Sequence, residues 1–322
     1  MSEQTALSVA GSRWAWFRHN PLIDLVLLLV RPRAVPTTSP TVSWIKRHPL
    51  LALVSLAYGL TWFGFMANPI LSSQSETYSL GNFVVVAFTI CGCLWAALIV
   101  ETAAGGITSR VAVLRRLRLF RWRVNIAWYA IALLLPAVLM LAGIALADVL
   151  SGTTAQIPLL AVSPSRWLGV IFINIGAYVI GNFEEFAWRG VALPRFQAIQ
   201  PAVKAALIVG TIQAIWHLPY FFVPNSIEQQ VGPFVFLLWN IALGIIITWI
   251  FNNAKGSLLI AILFHAANDG WGGLLMSSGS SLPVFLVVVV ESVVAIVLVA
   301  LFGARRLSRK SEAELAPEIA TI

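Results

Sequence analysis

The stretch 166–189, RWLGVIFINIGAYVIGNFEEFAWR, decides the architecture. Residues 167–183 carry no charge, and a bilayer crossing takes about 20 such residues. The run then ends in Glu184-Glu185-Phe186-Ala187-Trp188-Arg189, which brings two carboxylates and a guanidinium up against hydrocarbon. Acids are costly at that depth, so a membrane protein that keeps two of them is generally using them.

The rest of the chain agrees with a membrane reading. It is 59% hydrophobic and 11% charged, where a soluble domain carries roughly 25% charged residues. Eight crossings are expected, at about 50–67, 83–100, 125–147, 166–188, 202–222, 232–251, 257–275 and 282–303. The fold class is therefore an all-α polytopic membrane protein, a bundle of about eight helices around a polar cavity. With both termini on the cytoplasmic side, every Lys and Arg except Arg166 falls in a cytoplasmic segment, as the positive-inside rule requires. Membrane topology thus accounts for the net charge of +8, and no nucleic-acid partner is expected. The expected location is the plasma membrane, with the bilayer itself as a partner.

The sequence divides into a cytoplasmic region 1–49, three helices over 50–147 with a basic loop at 101–123, a core at 148–281, a last helix at 282–303 and a polar, disordered tail at 304–322. The first 20 residues are polar, without a signal peptide. The run 21–30 is too short to span and is expected along the interface or on the bundle. Val113, Leu114, Leu117 and Phe120 keep helical spacing among arginines, which points to an amphipathic helix at the headgroups. Cys91 and Cys93 have neither zinc spacing nor a disulfide framework, so they read as packing residues.

Few polar residues remain inside the spans. Glu184 and Glu185 are about 100° apart on a helix and cannot face the same way. Arg189 follows Glu185 by four residues, the spacing of an intrahelical ion pair. A paired Glu185 leaves Glu184 free to face a cavity as general base for water. The bland alternative is that all three anchor the cytoplasmic end of the span. His217 sits late in its span, before Pro219, and reads either as a catalytic group or as a helix-to-helix hydrogen bonder. His265 shares a helix face with Asn268 and Asp269, so an acid can orient the ring and a His/Asn pair can meet an oxyanion. Gly270 to Gly273 suggests that this helix loosens just beyond. Glu291 reads as a bundle-facing acid hydrogen-bonded to another helix.

In order, these residues resemble the CAAX protease and bacteriocin-processing (CPBP, or Abi) superfamily, which includes the type II prenyl endopeptidases. That pattern is Glu-Glu-x-x-x-Arg, then Phe-x-x-x-His, then His-x-x-x-Asn or Asp. Glu184, Glu185 and Arg189 match the first motif, His217 the second with Gln213 in place of Phe, and His265 with Asp269 the third. The resemblance covers about 166–275 and implies an intramembrane endopeptidase acting on a membrane-associated or lipidated protein or peptide. Glu184 would activate water, assisted by His217, and His265 with Asp269 would stabilise the oxyanion. An ionised Asp269 cannot donate, so it would orient His265, or Asn268 would supply the donor. No cofactor is expected; a zinc ion, if present, would sit on Glu184, His217 and His265.

The position of Glu184 near the end of its span poses a difficulty. His217 lies roughly 20 Å along the next helix, so the two meet only if 190–203 dips into the membrane or the helices tilt strongly, and the dip is the expectation. The competing functions are a non-catalytic immunity or partner-binding protein and a proton-coupled transporter.

Overall fold

The computed structural model describes residues 20–72, 80–106, 110–119, 121–224, 226–276, 281–311 and 315. The polar start of the chain with Glu3, Arg13, Arg18 and His19, the side chain of Phe120 and most of the tail beyond 311 lie outside the described residues.

The chain forms helices α1 (Pro21–Val30), α2 (Pro40–Arg47), α3 (Pro49–Ser72), α4 (Leu80–Gly105), α5 (Arg110–Arg116), α6 (Ile126–Ser151), α7 (Trp167–Gly181), α8 (Leu193–Gln197), α9 (Ala202–Trp216), α10 (Ile227–Asn253), α11 (Leu258–Leu275) and α12 (Ser281–Phe302). A π-helical turn, Phe186–Ala192, joins the break after α7 to α8. Starts are set locally. Pro21, Pro40 and Pro49 stand at first-turn positions, where their missing N–H costs nothing. Asn125, Ser226 and Ser257 cap α6, α10 and α11 with a side-chain oxygen.

Among the described residues, seven helices are long and apolar enough to cross a membrane. The pair Pro164–Gly181 and Phe186–Gln197, bent by 58°, passes the same test only together, as one broken span or a re-entrant loop, so the count is seven, or eight where the pair is one span. The expected fourth segment does not run unbroken to about 188: it breaks after Gly181 and continues through the π turn to Gln197, so Glu184 lies beside the break rather than at a helix end.

α3 packs along α4, α9 along α10, α10 against α12, and α6 against α11 and α12. α7 packs on α11. Several seams close on glycine. A Cβ at Gly143 would stand 2.7 Å from the Val287 Cα, one at Gly210 2.8 Å from the Asn240 carbonyl oxygen, and one at Gly270 3.0 Å from the Ile175 Cα. Backbone-to-backbone approach of this kind is how membrane helices associate without a hydrophobic drive between them.

One end of the bundle gathers the basic segments. The Arg121 guanidinium donates to the Lys255 carbonyl at 2.7 Å, and the Ala202 N–H donates to the Arg305 carbonyl at 2.9 Å. Asn252 and Asn253 donate to the carbonyls of Arg306 and Leu307. Residues 304–311 are thus docked on the bundle, with Leu307 and Ser308 buried, where a disordered tail was expected. α1 packs on α4, one of the two placements expected for it, with the Ser39 hydroxyl donating to buried Asp24. Two further expectations change. The basic helix stops at Arg116, and Val113, Leu117 and even Arg118 are buried, so it plugs the bundle rather than lying free at the headgroups. Gly270 to Gly273 stays helical, because Gly270 is the contact point for α7.

Gly143→Ala is expected to cost about 1–3 kcal/mol by overpacking, since the obstructing atoms are backbone. Gly176→Ala meets nothing within 4 Å and is expected to be neutral or stabilising. Thermal unfolding of both variants in one detergent checks the contrast.

Candidate active site

The site begins at the break. α7 ends as the Asn182 N–H bonds the Tyr178 carbonyl, with Asn182 itself out of helical geometry at φ −88°, ψ 46°. The chain resumes as the wider π turn, closed by the Leu193 N–H on the Trp188 carbonyl. Irregular backbone at membrane depth is tolerated where protein covers it or it lines a cavity. All seven residues Phe186–Ala192 are buried.

The two carboxylates, adjacent on the turn after the break, point to different surroundings. Glu185 is fully buried; its Oε1 accepts from the Arg189 guanidinium at 2.8 Å and from His265 Nδ1 at 2.7 Å. The pair expected from spacing is present, and it also grips a histidine three spans away. Glu184, 7% exposed, turns the other way. Its Oε2 accepts from the Trp188 indole at 3.0 Å and from the Gln213 amide at 2.9 Å. The Gln213 carbonyl oxygen in turn accepts from Arg189 at 2.7 Å. Gln213 therefore bridges the two halves of the motif, a task that the phenylalanine of the family pattern could not perform.

Both histidines face Glu184. His217 Nε2 is 4.0 Å from Glu184 Oε2, and His265 Nε2 is 3.8 Å from Oε1. Each ring is held from behind by another carboxylate: His265 by Glu185, and His217 by Glu228, whose Oε1 is 3.1 Å from its Nδ1. An ionised carboxylate only accepts, so these contacts fix a proton on each Nδ1 and leave each Nε2 towards Glu184. Asp269 lies beside His265, as the i, i+4 spacing predicts. Its Oδ2 lies 3.8 Å from His265 Nε2 and accepts from the Asn182 amide at 3.0 Å. Asn268 is buried, with its amide 3.5 Å from Asp269 Oδ1 and, among the described residues, no contact to His265.

The depth difficulty is met by the longer fourth span. Ala202, bonded to Arg305, starts α9 at the basic end, and His217 stands about 20 Å above it. The limb Phe186–Gln197 descends from the break to that same end, where the Gln197 amide donates to Asn252 at 3.1 Å. Glu101 on α4, buried, pairs with Arg195 at 2.6 Å and secures the limb. The break and His217 thus share one level because residues 190–197 lie within the bundle, in line with the expected inward course of 190–203.

Glu228 is brought in by a second irregularity. Gly232 adopts φ 77°, ψ 163° inside α10, a region essentially confined to glycine, and bends the first turn of the helix over His217. Phe236 beyond the bend packs a ring 5.1 Å from the imidazole. Glu291 stands apart: it is fully buried and faces the Trp239 indole of another helix, the setting expected of a bundle-facing acid.

Glu184, His217 and His265 are the donors on which a zinc ion would have to sit. Among the described residues, no three His, Cys, Asp or Glu side chains converge at ligand spacing, and Glu184 Oε2 is already engaged by two N–H donors. These residues do not fit the metal, and no step below is routed through one.

Sequence reasoning missed Trp188, Gln213, Glu228 and Asn182. Trp188 and Gln213 had a signal, being four residues from Glu184 and His217 respectively. Glu228 had only the Ser226 cap to mark a helix start, and nothing to say that the helix would aim at His217.

Residues 163–271 match the family model described as type II CAAX prenyl endopeptidase Rce1-like. The chain is also 31% identical over 141 residues to CAAX prenyl protease 2 of Methanococcus maripaludis, covering 41% of this chain and 51% of that protein. The chain thus matches about half the length of this curated relative, and the match to the family model contains all three motifs.

Gln213→Leu leaves a buried carboxylate and a buried guanidinium each short of a partner and is expected to cost about 1–3 kcal/mol. Glu185→Ala strips Arg189 of its counter-charge and is expected to cost about 3–5 kcal/mol. Unfolding in a single detergent should rank them in that order.

Proposed function

We propose that this protein, whose segment 163–271 matches the type II CAAX prenyl endopeptidase Rce1-like family model, is an intramembrane endopeptidase that uses Glu184 to activate water. The observation that carries the reading is the convergence of two imidazole Nε2 atoms, at 3.8 and 4.0 Å, on one carboxylate. Gaps of that size between polar atoms suit an intervening water. Glu184 takes a proton from that water as its oxygen attacks the scissile carbonyl carbon. His217, steadied by Glu228, helps to orient the water. His265, with a proton on both nitrogens, donates from Nδ1 to Glu185 and from Nε2 to the developing oxyanion. Collapse of the tetrahedral intermediate breaks the C–N bond, and Glu184 returns its proton to the leaving amine.

The relative's name is that of a CAAX prenyl protease, and we extend that substrate class to this chain: a membrane-associated protein or peptide with a lipidated cysteine near its C-terminus. The basic end faces the cytoplasm of a plasma membrane, with both termini on that side. Hydrolysis proceeds without a metal ion.

Cleavage of farnesylated and unmodified C-terminal peptides by purified protein tests this. Glu184→Gln is expected to lower kcat about 10²–10⁴-fold with an unchanged unfolding temperature. Retained cleavage removes Glu184 as the base. A strong chelator is expected to leave the wild-type rate unchanged, and loss that zinc restores would overturn the metal-free chemistry. No cleavage of any peptide would instead favour the partner-binding reading.

A further inference from the structure

α7 is the least enclosed of the core spans: Leu168, Phe172, Ile173 and Ile180 are exposed on its outer side. Between Leu168 and Asn182 it carries only three polar side chains, Asn174, Tyr178 and Asn182, spaced i, i+4, i+8 and so on one face. That face looks along the seam with α11. A Cβ at Gly273 would lie 3.6 Å from Asn174 Oδ1, Tyr178 lies within reach of the Asp269 charge, and Asn182 donates to Asp269 at 3.0 Å. Among the described residues, neither the Asn174 amide nor the Tyr178 hydroxyl makes a side-chain hydrogen bond. Polar groups at membrane depth are costly without partners. The ladder leads to the reacting groups, since Asp269 is 3.8 Å from His265 Nε2.

The spacing suits one class of ligand. Helix positions four apart rise about 6 Å, and same-facing residues of an extended chain repeat at about 6.6–6.8 Å. An amide side chain both donates and accepts, as a peptide main chain requires. We propose that Asn174, Tyr178 and Asn182 form a rail that binds the main chain of an extended substrate peptide beside the scissile bond. The proposal rests on the peptidase reading and deepens it: recognition along this seam is of backbone rather than of side chains, as in strand addition. Asn174 and Tyr178 are positioning residues for the substrate, and neither takes part in the chemistry.

The test uses full-length protein in detergent with a farnesylated peptide ending in Cys, two aliphatic residues and Met, and a set of the same peptide N-methylated at one backbone nitrogen each. Asn174→Leu is expected to raise KM about three- to tenfold with kcat within twofold, and Tyr178→Phe to do the same more weakly. One N-methyl peptide is expected to lose affinity by a similar factor on the parent protein and to lose nothing further on Asn174→Leu. Affinities measured on the Glu184→Gln background give the same comparison without turnover. An unchanged KM in both variants, or an N-methyl penalty that persists in Asn174→Leu, overturns the rail while leaving the peptidase intact. A parent protein that neither binds nor cleaves the peptide overturns the peptidase reading, and the rail falls with it.

Discussion

Two neighbouring carboxylates inside a membrane protein cannot be satisfied by the same partners, and much of the site follows from keeping them apart. On an unbroken helix Glu184 and Glu185 would diverge by about 100°, and the residues around each would be those of a regular span. The break at Asn182 and the π turn that follows give each acid its own surroundings. Glu185 takes the charges, Arg189 and the back of His265. Glu184 takes neutral donors, Trp188 and Gln213, and is left with one side towards two imidazoles. Gln213 couples the two sets, so the ion pair and the carboxylate facing the imidazoles are held by one network.

The same division explains why the site sits on irregular backbone. Three departures from regular helix surround it: the end of α7, the π turn, and the bend at Gly232 that aims Glu228 at His217. The π turn is covered by protein throughout, which is the condition for such backbone at membrane depth. The regular helices supply rigidity, through glycine seams such as Gly143 with Val287 and Gly210 with Asn240. The irregular segments supply aim.

The spans were legible because hydropathy and the placement of Lys and Arg are independent signals that agree. The Glu185–Arg189 contact was legible because four-residue spacing on a helix is a local matter. What sequence could not give was anything that depends on a break: a regular helix was assumed through 188, whereas the chain leaves helical geometry at Asn182 and resumes through a π turn. Asp269 beside His265 was legible from helix spacing, but the Nδ1 partner was not, because spacing reports only neighbours on one helix and Glu185 comes from another span. Gln213 looked like a loss against the family pattern and is a bridge instead. The docking of 304–311 was invisible for a related reason, since it rests on the side-chain amides of Asn252 and Asn253 bonding to tail carbonyls, which composition does not report.

The central claim is that a glutamate-activated water, with no nucleophile of the protein's own, attacks the peptide bond. A single turnover of the farnesylated peptide in ¹⁸O-enriched water, followed by intact-mass measurement of protein and product, tests it most directly. The account predicts one ¹⁸O in the new carboxylate and no added mass on the protein at any time point. A transient adduct of the protein with the acyl half of the peptide would contradict it.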